Sequence, residues 1–262
     1  MKKKNKNTKY LAGHQRSWVW GRHAVTEILA AARWPVLDLY LAEELAEKKK
    51  TDFGEQGRAL GADVTVVPRD RLRELCGAVE HQGFLARMGP YPYATWEEIL
   101  KVQKDNTSPP LYLVLDAMRD AHNYGAIIRS ATALSATAVI VGVKNQAPVN
   151  NHVARASAGA VNRMPIVQVD SLVAALQLLK EQNVICVATD PKGTTPVWGY
   201  DFKQPIALVL GNENAGISPE VLEVCDDRIV IPGSGMLDSL NVAAASAALL
   251  YEALRQRHYD KP

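Results

Sequence analysis

Along the first ninety residues, apolar positions come in short groups separated by charged stretches. In HAVTEILAAA, entered from Val19–Arg22, Ala24, Ile28 and Ala31/Ala32 recur at helical spacing and predict a helix. VLDLYL (36–41) reads as a strand, 52–61 as a helix ending at Gly61, and VTVV (64–67) as a second strand. A short helix over 69–76 and a strand at GFLARM (83–88) complete the unit. Strands alternating with helices in this way predict a small α/β domain. GPYPYATWEEILKVQKDNTSPP follows, with proline at both ends and a short helix between, and reads as a linker.

From Leu111 the pattern changes scale. LYLVLD (111–116), TAVIVG (137–142), VICVAT (184–189), IALVLG (206–211) and DRIVIP (227–232) are apolar runs, alternating with helical segments at 124–135, 171–182 and 240–257. Continuous apolar strands are what a parallel sheet covered on both faces requires. The second domain is therefore expected to be a doubly wound α/β sheet, with ligands bound in the loops after the strands' carboxyl ends. The expected division is a tail (1–15), a small α/β domain (16–90), a linker (91–110) and a large α/β domain (111–262).

Composition narrows the class. The chain has 262 residues, 47% hydrophobic and 22% charged, the balance of a globular protein with a buried core. No apolar run approaches a membrane span, and the basic opening MKKKNKNTKY is not followed by a signal-peptide core. Cys76, Cys186 and Cys225 are far apart and odd in number, which suits a reducing cytoplasm and gives neither disulfide nor zinc spacing. The six histidines form no metal-binding pair, so no metal is expected. The net charge of +2 conceals a division. Residues 1–90 carry 16 Lys and Arg against 11 Asp and Glu, leaving 14 against 17 for the remainder. A basic first part suggests contact with a polyanion, with Arg16, Arg22, Arg69, Arg71 and Arg73 as candidates.

Three loops carry candidate chemistry. LDAMRDAHNYGAIIRSA (115–131) follows a strand; Asp120, His122 and Asn123 are loop formers, and Arg129 projects from the next helix. Taken alone, such an arginine is most often a solvated surface charge. LVLGNENAGIS (208–218) ends a strand at Gly211 and turns through Glu213, before Ser218-Pro219 opens a helix. It lacks the Lys-Ser/Thr ending of a P-loop and is no GxGxxG, so its bland reading is a structural turn with a solvated glutamate. In IVIPGSGMLDSLNVAAASAALLYEALRQR (229–257), Pro232 ends a strand, Gly233 and Gly235 permit unusual dihedrals, and Ser239 or Asp238 is placed to cap a long helix.

Together the loops resemble the SpoU (TrmH-like) branch of the SPOUT RNA methyltransferases. Asp120-Ala-His-Asn123-Tyr-Gly125 with Arg129, Leu208 to Gly216 with Glu213, and Ile231-Pro232 with Ser239-Leu240-Asn241-Val242 match the family's three motifs in order, each after an apolar strand. The resemblance spans about 111–257. It extends weakly forward, where GRHAVTEIL (21–29) and HQGFLARM (81–88) look like the edges of the small L30e-like substrate-binding domain of bacterial 23S ribosomal-RNA guanosine-2′-O-methyltransferases. Two departures stand out. Ala121 replaces the usual proline, and Gly233-Ser-Gly235-Met-Leu-Asp238 differs from the common third motif.

The resemblance implies a trefoil-knotted parallel-sheet domain, a homodimer through that domain, and S-adenosyl-L-methionine as cofactor. It places Gly211, Ile231, Leu240 and Thr189 around the cofactor, and Arg129, Asn123, Glu213, Ser239 and Asn241 at the reaction. The implied reaction is 2′-O-ribose methylation of structured RNA, with a guanosine of ribosomal RNA as the expected target. A guanidinium keeps its proton in proteins, so Arg129 is read as a phosphate clamp or alkoxide stabiliser, with Glu213 a candidate to orient it. Transfer RNA is the alternative substrate. A non-catalytic RNA-binding protein would be favoured by loss of Arg129, Asn123 or Asn241, and all three are present. A nucleotide-dependent oxidoreductase would carry GxGxxG after its first strand, and this chain does not.

Overall fold

A computed structural model describes residues 18–105, 108–236 and 239–259; the basic tail, Arg16 and Asp238 lie outside the described residues. The chain divides into two compact units. One comprises the described residues up to Pro92 together with Val149–Asn162; the other comprises Tyr93–Pro148 and the residues from Arg163 onward.

The small unit runs β1 (Trp18–Trp20), α1 (Arg22–Ala31), β2 (Val36–Ala42), α2 (Glu47–Ala59), β3 (Asp63–Val67), α3 (Arg69–Cys76) and β4 (Phe84–Met88). Its sheet has the order β1-β4-β2-β3, with β4 antiparallel to both neighbours and β2 parallel to β3. Trp18, Val19, Ile28, Leu39, Leu41, Leu72, Phe84 and Leu85 are buried in its core. Strand β1 carries no alternation to reveal it, because all three of its residues are buried. Helix α2 spans Glu47–Ala59, starting five residues before the expected helix at 52–61. Its buried positions are Gly54 and Gly57, and a Cβ on Gly57 would lie 2.8 Å from Leu39 Cδ2. The helix face is recessed for the sheet by glycine, which leaves no hydrophobic period to read.

The large unit opens on α4 (Trp96–Asp105), inside the segment that composition marks as a linker. Ile99 is fully buried in the large core, and Ala94 N–H donates to Ile166 O at 2.7 Å, so this stretch is packed structure. Then come β5 (Leu111–Leu115), α5 (Ala121–Ala133), β6 (Ala138–Gly142), α6 (Asn151–Ala156), β7 (Ile166–Val169), α7 (Leu172–Glu181), β8 (Ile185–Thr189), β9 (Thr195–Pro196), β10 (Ile206–Leu210), α8 (Pro219–Glu223), β11 (Asp227–Val230) and α9 (Val242–His258). The sheet is parallel throughout, in the order β7-β6-β5-β10-β8-β11-β9. Every residue of β5 and β10 is buried, as unalternating apolar runs require.

Helix α6 belongs to the small unit, although it lies more than fifty residues beyond that unit's last strand. Val153, Ala154 and Val161 are buried there, Arg155 stacks over Trp20 at 5.0 Å, and Tyr91 Oη donates to Val161 O at 2.7 Å. A Cβ on Gly159 would lie 2.5 Å from Glu27 Cβ, so the chain fits there only as glycine. Deleting residues 1–90 would strip the cover from Val153 and Val161; point variants are the cleaner probe of the small unit.

Candidate active site

Strands β5, β10, β8 and β11 are consecutive neighbours in the sheet, although their order along the chain is different. The loops leaving their carboxyl ends are the three motif loops plus the segment after Thr189. A parallel sheet directs all these ends the same way, which gathers residues about a hundred positions apart.

Each loop is shaped by side chains bonding to main chain. Asp120 caps α5 by accepting from Asn123 N–H at 2.8 Å. Asn212 folds the second loop: its Oδ1 accepts from Asn214 and Ala215 N–H at 3.0 and 3.2 Å, and its Nδ2 donates to Ala117 O at 2.9 Å. Ala117 holds the left-handed φ of +57°. Buried Asp116 accepts from Ser218 N–H at 2.7 Å and so ties the first loop to the second. The sequence named neither Asp116 nor Asn212. The one legible signal was asparagine opening a tight turn.

Two capping expectations are corrected. Ser218 stands before α8 with Pro219 at the first helical position, but its side chain makes no capping bond. Helix α9 is capped by Asn241, whose Oδ1 accepts from Ala243 and Ala244 N–H at 2.9 and 3.3 Å, and not by Ser239. Both amide oxygen and hydroxyl can cap a helix; the first helical residue, Val242, comes three residues after the serine, so the cap position falls to Asn241.

The three motifs join in one chain of hydrogen bonds. Asn123 Nδ2 donates to Glu213 Oε1 at 2.6 Å, and Asn241 Nδ2 donates to Asn123 Oδ1 at 3.1 Å. The direction of each amide is fixed from both ends. The carboxylate of Glu213 can only accept, so Asn123 turns its NH2 toward it and its oxygen toward Asn241. The N–H groups of α9 can only donate, so Asn241 turns its oxygen to the helix and its NH2 to Asn123. Glu213 therefore orients Asn123 and not Arg129, which corrects the expected pairing.

Arg129 is exposed and makes no hydrogen bond or ion pair with another described residue. Six residues along an α-helix advance ~9 Å and turn ~240°, so Asn123 and Arg129 face in different directions from α5. The structure brings Asn123, Glu213 and Asn241 together and leaves Arg129 outside their network.

Beside the network lies a cavity of about 600 Å³, within the usual range for small-molecule sites. Gly211, Ile231, Leu240 and Thr189 all line it, as do Glu213 and Ser239. The apolar wall is completed by Leu210, Val242 and Leu249. Thr189 Oγ1 donates to Val209 O at 2.9 Å, so its hydroxyl is engaged by the sheet. No group of metal-ligating side chains occurs among the described residues, and no described helix is long and apolar enough to cross a membrane.

The chain matches the model of the SpoU rRNA Methylase family over residues 110–251, and that of the RNA 2′-O ribose methyltransferase substrate-binding domain over residues 18–94. The chain belongs to the SpoU methylase family. Among curated relatives it is 32% identical over 244 residues to the TrmH family tRNA/rRNA methyltransferase YacO of Bacillus subtilis (strain 168), covering 93% of this chain and 97% of the relative. Among solved structures it is similar to the SpoU methyltransferase AviRb from Streptomyces viridochromogenes in complex with the cofactor AdoMet. That match has a TM-score of 0.77 and 29% identity, covering 97% of this chain and 94% of the other. The A. aeolicus TrmH/SpoU tRNA modifying enzyme aligns at 31% identity and a TM-score of 0.53, covering 62% of this chain and 83% of that one.

In this SpoU chain the small unit presents Arg22, Arg69, Arg71 and Arg73 as exposed side chains. Arg71 pairs with Glu74 at 2.8 Å and Arg69 lies 3.9 Å from Glu44, while Arg22 and Arg73 have no ion pair with a described residue.

The double duty of Asn241 can be separated. Asn241→Asp keeps an acceptor for the α9 N–H groups but loses the donor to Asn123 and sets a second carboxylate near Glu213. Its thermal midpoint should stay close to the parent while methyl transfer is lost. Asn241→Ala should lose both, with a stability cost of about 1 kcal/mol for the missing cap. Equal activity in Asn241→Asp and the parent would remove the hydrogen-bond chain from the mechanism.

Proposed function

We propose that the protein transfers the methyl group of S-adenosyl-L-methionine to a ribose 2′-hydroxyl of structured RNA, and that its target is a guanosine of ribosomal RNA, methylated in the cytoplasm by a homodimer. The observation that carries the reading is the hydrogen-bonded chain from Glu213 through Asn123 to Asn241, beside a largely apolar cavity. That cavity suits an adenosine, with apolar walls from Ile231 and Leu240 and close main-chain approach at Gly211. The cofactor supplies an electrophilic sulfonium methyl group when bound.

The chain's own residues supply position. A hydroxyl is a weak nucleophile, so the site must hold it in line and receive its proton. Asn123 and Asn241 are held in set amide orientations by the hydrogen-bonded chain, and Glu213 brings a carboxylate to the cavity wall. Ser239 offers a hydroxyl on the same wall, without a hydrogen bond to another described residue. Arg129, unpaired among the described residues, is free to clamp an RNA phosphate through a bidentate contact or to stabilise alkoxide charge.

Several observations support the finer terms. The small unit matches the substrate-binding model, whereas the A. aeolicus tRNA enzyme covers only 62% of this chain. Arg22, Arg69, Arg71 and Arg73 give that unit phosphate-binding groups. Ala244, Ala248 and Tyr251 lie exposed at i, i+4 and i+7 along α9, a stripe fit for a second copy. Cys76, Cys186 and Cys225 are free thiols, with burial pushing Cys186 up to about 12 and Cys225 up to about 11, as inert cysteines of a reducing compartment.

The test is transfer of a radiolabelled methyl group to separated ribosomal and transfer RNA. Label should appear on ribose in ribosomal RNA, and label confined to transfer RNA would overturn the substrate. Arg129→Ala should lower turnover by roughly 100- to 1000-fold, as loss of a preorganised charge does, with cofactor affinity unchanged. Arg129→Lys should fail as well, because a point charge does not reproduce a planar fork. Normal turnover by Arg129→Ala with RNA and cofactor saturating would remove the arginine from the reaction.

A further inference from the structure

A second cavity, of about 570 Å³, shares the 212–216 loop as a wall with the first. Its other walls are of different character. The first cavity is lined by Leu210, Ile231, Leu240 and Leu249, whereas the second is lined by Asp116, Arg119, Asp120, Asn145 and Ser218. Glu213, the carboxylate bonded to Asn123, borders both.

Asp116, Asn212 and Glu213 are engaged in holding the loops, but three other polar side chains of this second cavity have unused groups. Arg119 is exposed, with no hydrogen bond or ion pair to a described residue. Asp120 uses one carboxylate oxygen to cap α5, and its other oxygen has no hydrogen bond to a described residue. The Asn145 side chain likewise has no partner among the described residues.

We propose that this polar cavity receives the base of the target nucleotide and that Arg119 and Asp120 read it as guanine. The inference rests on the methyltransferase reading and takes the target ribose to lie at the 212–216 loop, where Glu213 borders both cavities. A base joined to that ribose must lie within one glycosidic bond of it. An enzyme that works on a nucleotide takes it out of the stack and gives the freed base a pocket with hydrogen-bonding walls. The donor and acceptor pattern then selects the base. Guanine presents O6 and N7 as adjacent acceptors, which a guanidinium meets with two donors, and an N2 amino donor that suits a carboxylate. Adenine places an amino donor beside N7, and cytosine an amino donor at N4, so each meets Arg119 with a clash of donors.

The test uses the full chain. Label transferred to unmodified ribosomal RNA should appear, after digestion, as 2′-O-methylguanosine. Arg119→Ala and Arg119→Gln should lower kcat/KM for RNA by roughly 5- to 150-fold, the worth of one good base contact, with the affinity for S-adenosylhomocysteine unchanged. A different methylated nucleoside, or an unchanged kcat/KM, overturns the proposal. Saturation-transfer NMR with 5′-GMP, AMP, CMP and UMP separates base reading from phosphate contact. GMP should be preferred by the parent and lose its preference in Arg119→Ala; an equal loss for all four nucleotides makes Arg119 a phosphate contact and overturns the base assignment. Should the parent transfer no methyl group, the same NMR result decides the pocket independently. Selective GMP binding lost in Arg119→Ala then keeps the pocket while the methyltransferase reading falls, and equal signals from the four nucleotides end both.

Discussion

Gly211→Ala should abolish binding of S-adenosylmethionine, weakening it by at least about 100-fold, equivalent to ~2.7 kcal/mol. The turn after β10 closes on itself, with Asn212 N–H donating to Gly216 O at 3.0 Å and Gly216 N–H returning to Asn212 O at 2.9 Å. A Cβ on Gly211 would lie 2.1 Å from the Gly216 carbonyl carbon and 2.3 Å from Ile217 N. Both are main-chain atoms, so no side-chain rotation relieves the overlap and the loop itself must move. That loop lines the cavity of about 600 Å³ proposed to hold the cofactor, and it carries Glu213. Titration calorimetry with S-adenosylmethionine measures the loss, and circular dichroism checks that the sheet persists. Parent-like affinity in Gly211→Ala would mean that the 211–216 turn does not shape the cofactor site.

Arg257→Met should be the most destabilising substitution outside the site. Arg257 ends α9 with its guanidinium among main-chain carbonyls: Nε donates to Phe202 O at 2.8 Å, Nη1 to Pro109 O at 2.5 Å, and Nη2 to Gln204 O at 2.8 Å and Pro110 O at 3.3 Å. Burial pulls its pKa down to about 10, so it remains charged at neutral pH. Neighbouring Gln256 binds the same 200–204 segment, accepting from Phe202 N–H at 2.9 Å and donating to Tyr200 O at 2.9 Å. Methionine fills similar volume but leaves the carbonyls of Phe202, Pro109 and Gln204 without their donor, while Pro110 O keeps the N–H of Ile206 at 3.0 Å. The expected cost is about 3–5 kcal/mol, from losing several charge-assisted hydrogen bonds to half-buried carbonyls. A thermal midpoint lower by roughly 6–20 °C follows for a chain of this size. Arg257→Lys should recover less than half of the loss, because one ammonium cannot span the spread of acceptors that a planar fork reaches. A midpoint within 2 °C of the parent (roughly 1 kcal/mol or less at this size) for Arg257→Met would show that water replaces the guanidinium without penalty.

Particular residues show how far the sequence could be read. Asn123, Glu213 and Asn241 were assigned to the reaction by resemblance to the family's three motifs, and they lie along one chain of hydrogen bonds. Arg129 was picked out in the same way, yet its place six residues on around α5 separates it from that group. The partner of Glu213 was misread for the same reason: spacing along a chain does not give the direction of a side chain. Asp116, Asn212 and Arg257 bond to main-chain atoms 95 to 148 residues away, and such bonds leave no local pattern.

The sequence by itself determined the order and type of most elements, the parallel character of the large sheet and the three motif loops. Those are consequences of local physics, since helical and strand periods, prolines and glycines act within a few residues of each other. Tertiary structure alone decided the rest. It placed β10 between β5 and β8, which brings the first and second motifs together. It gave Val149–Asn162 to the small unit, where Val153 and Val161 find their cover. It also fixed the amide directions from Glu213 to α9, because a group that can only accept and groups that can only donate stand at opposite ends of one hydrogen-bonded chain.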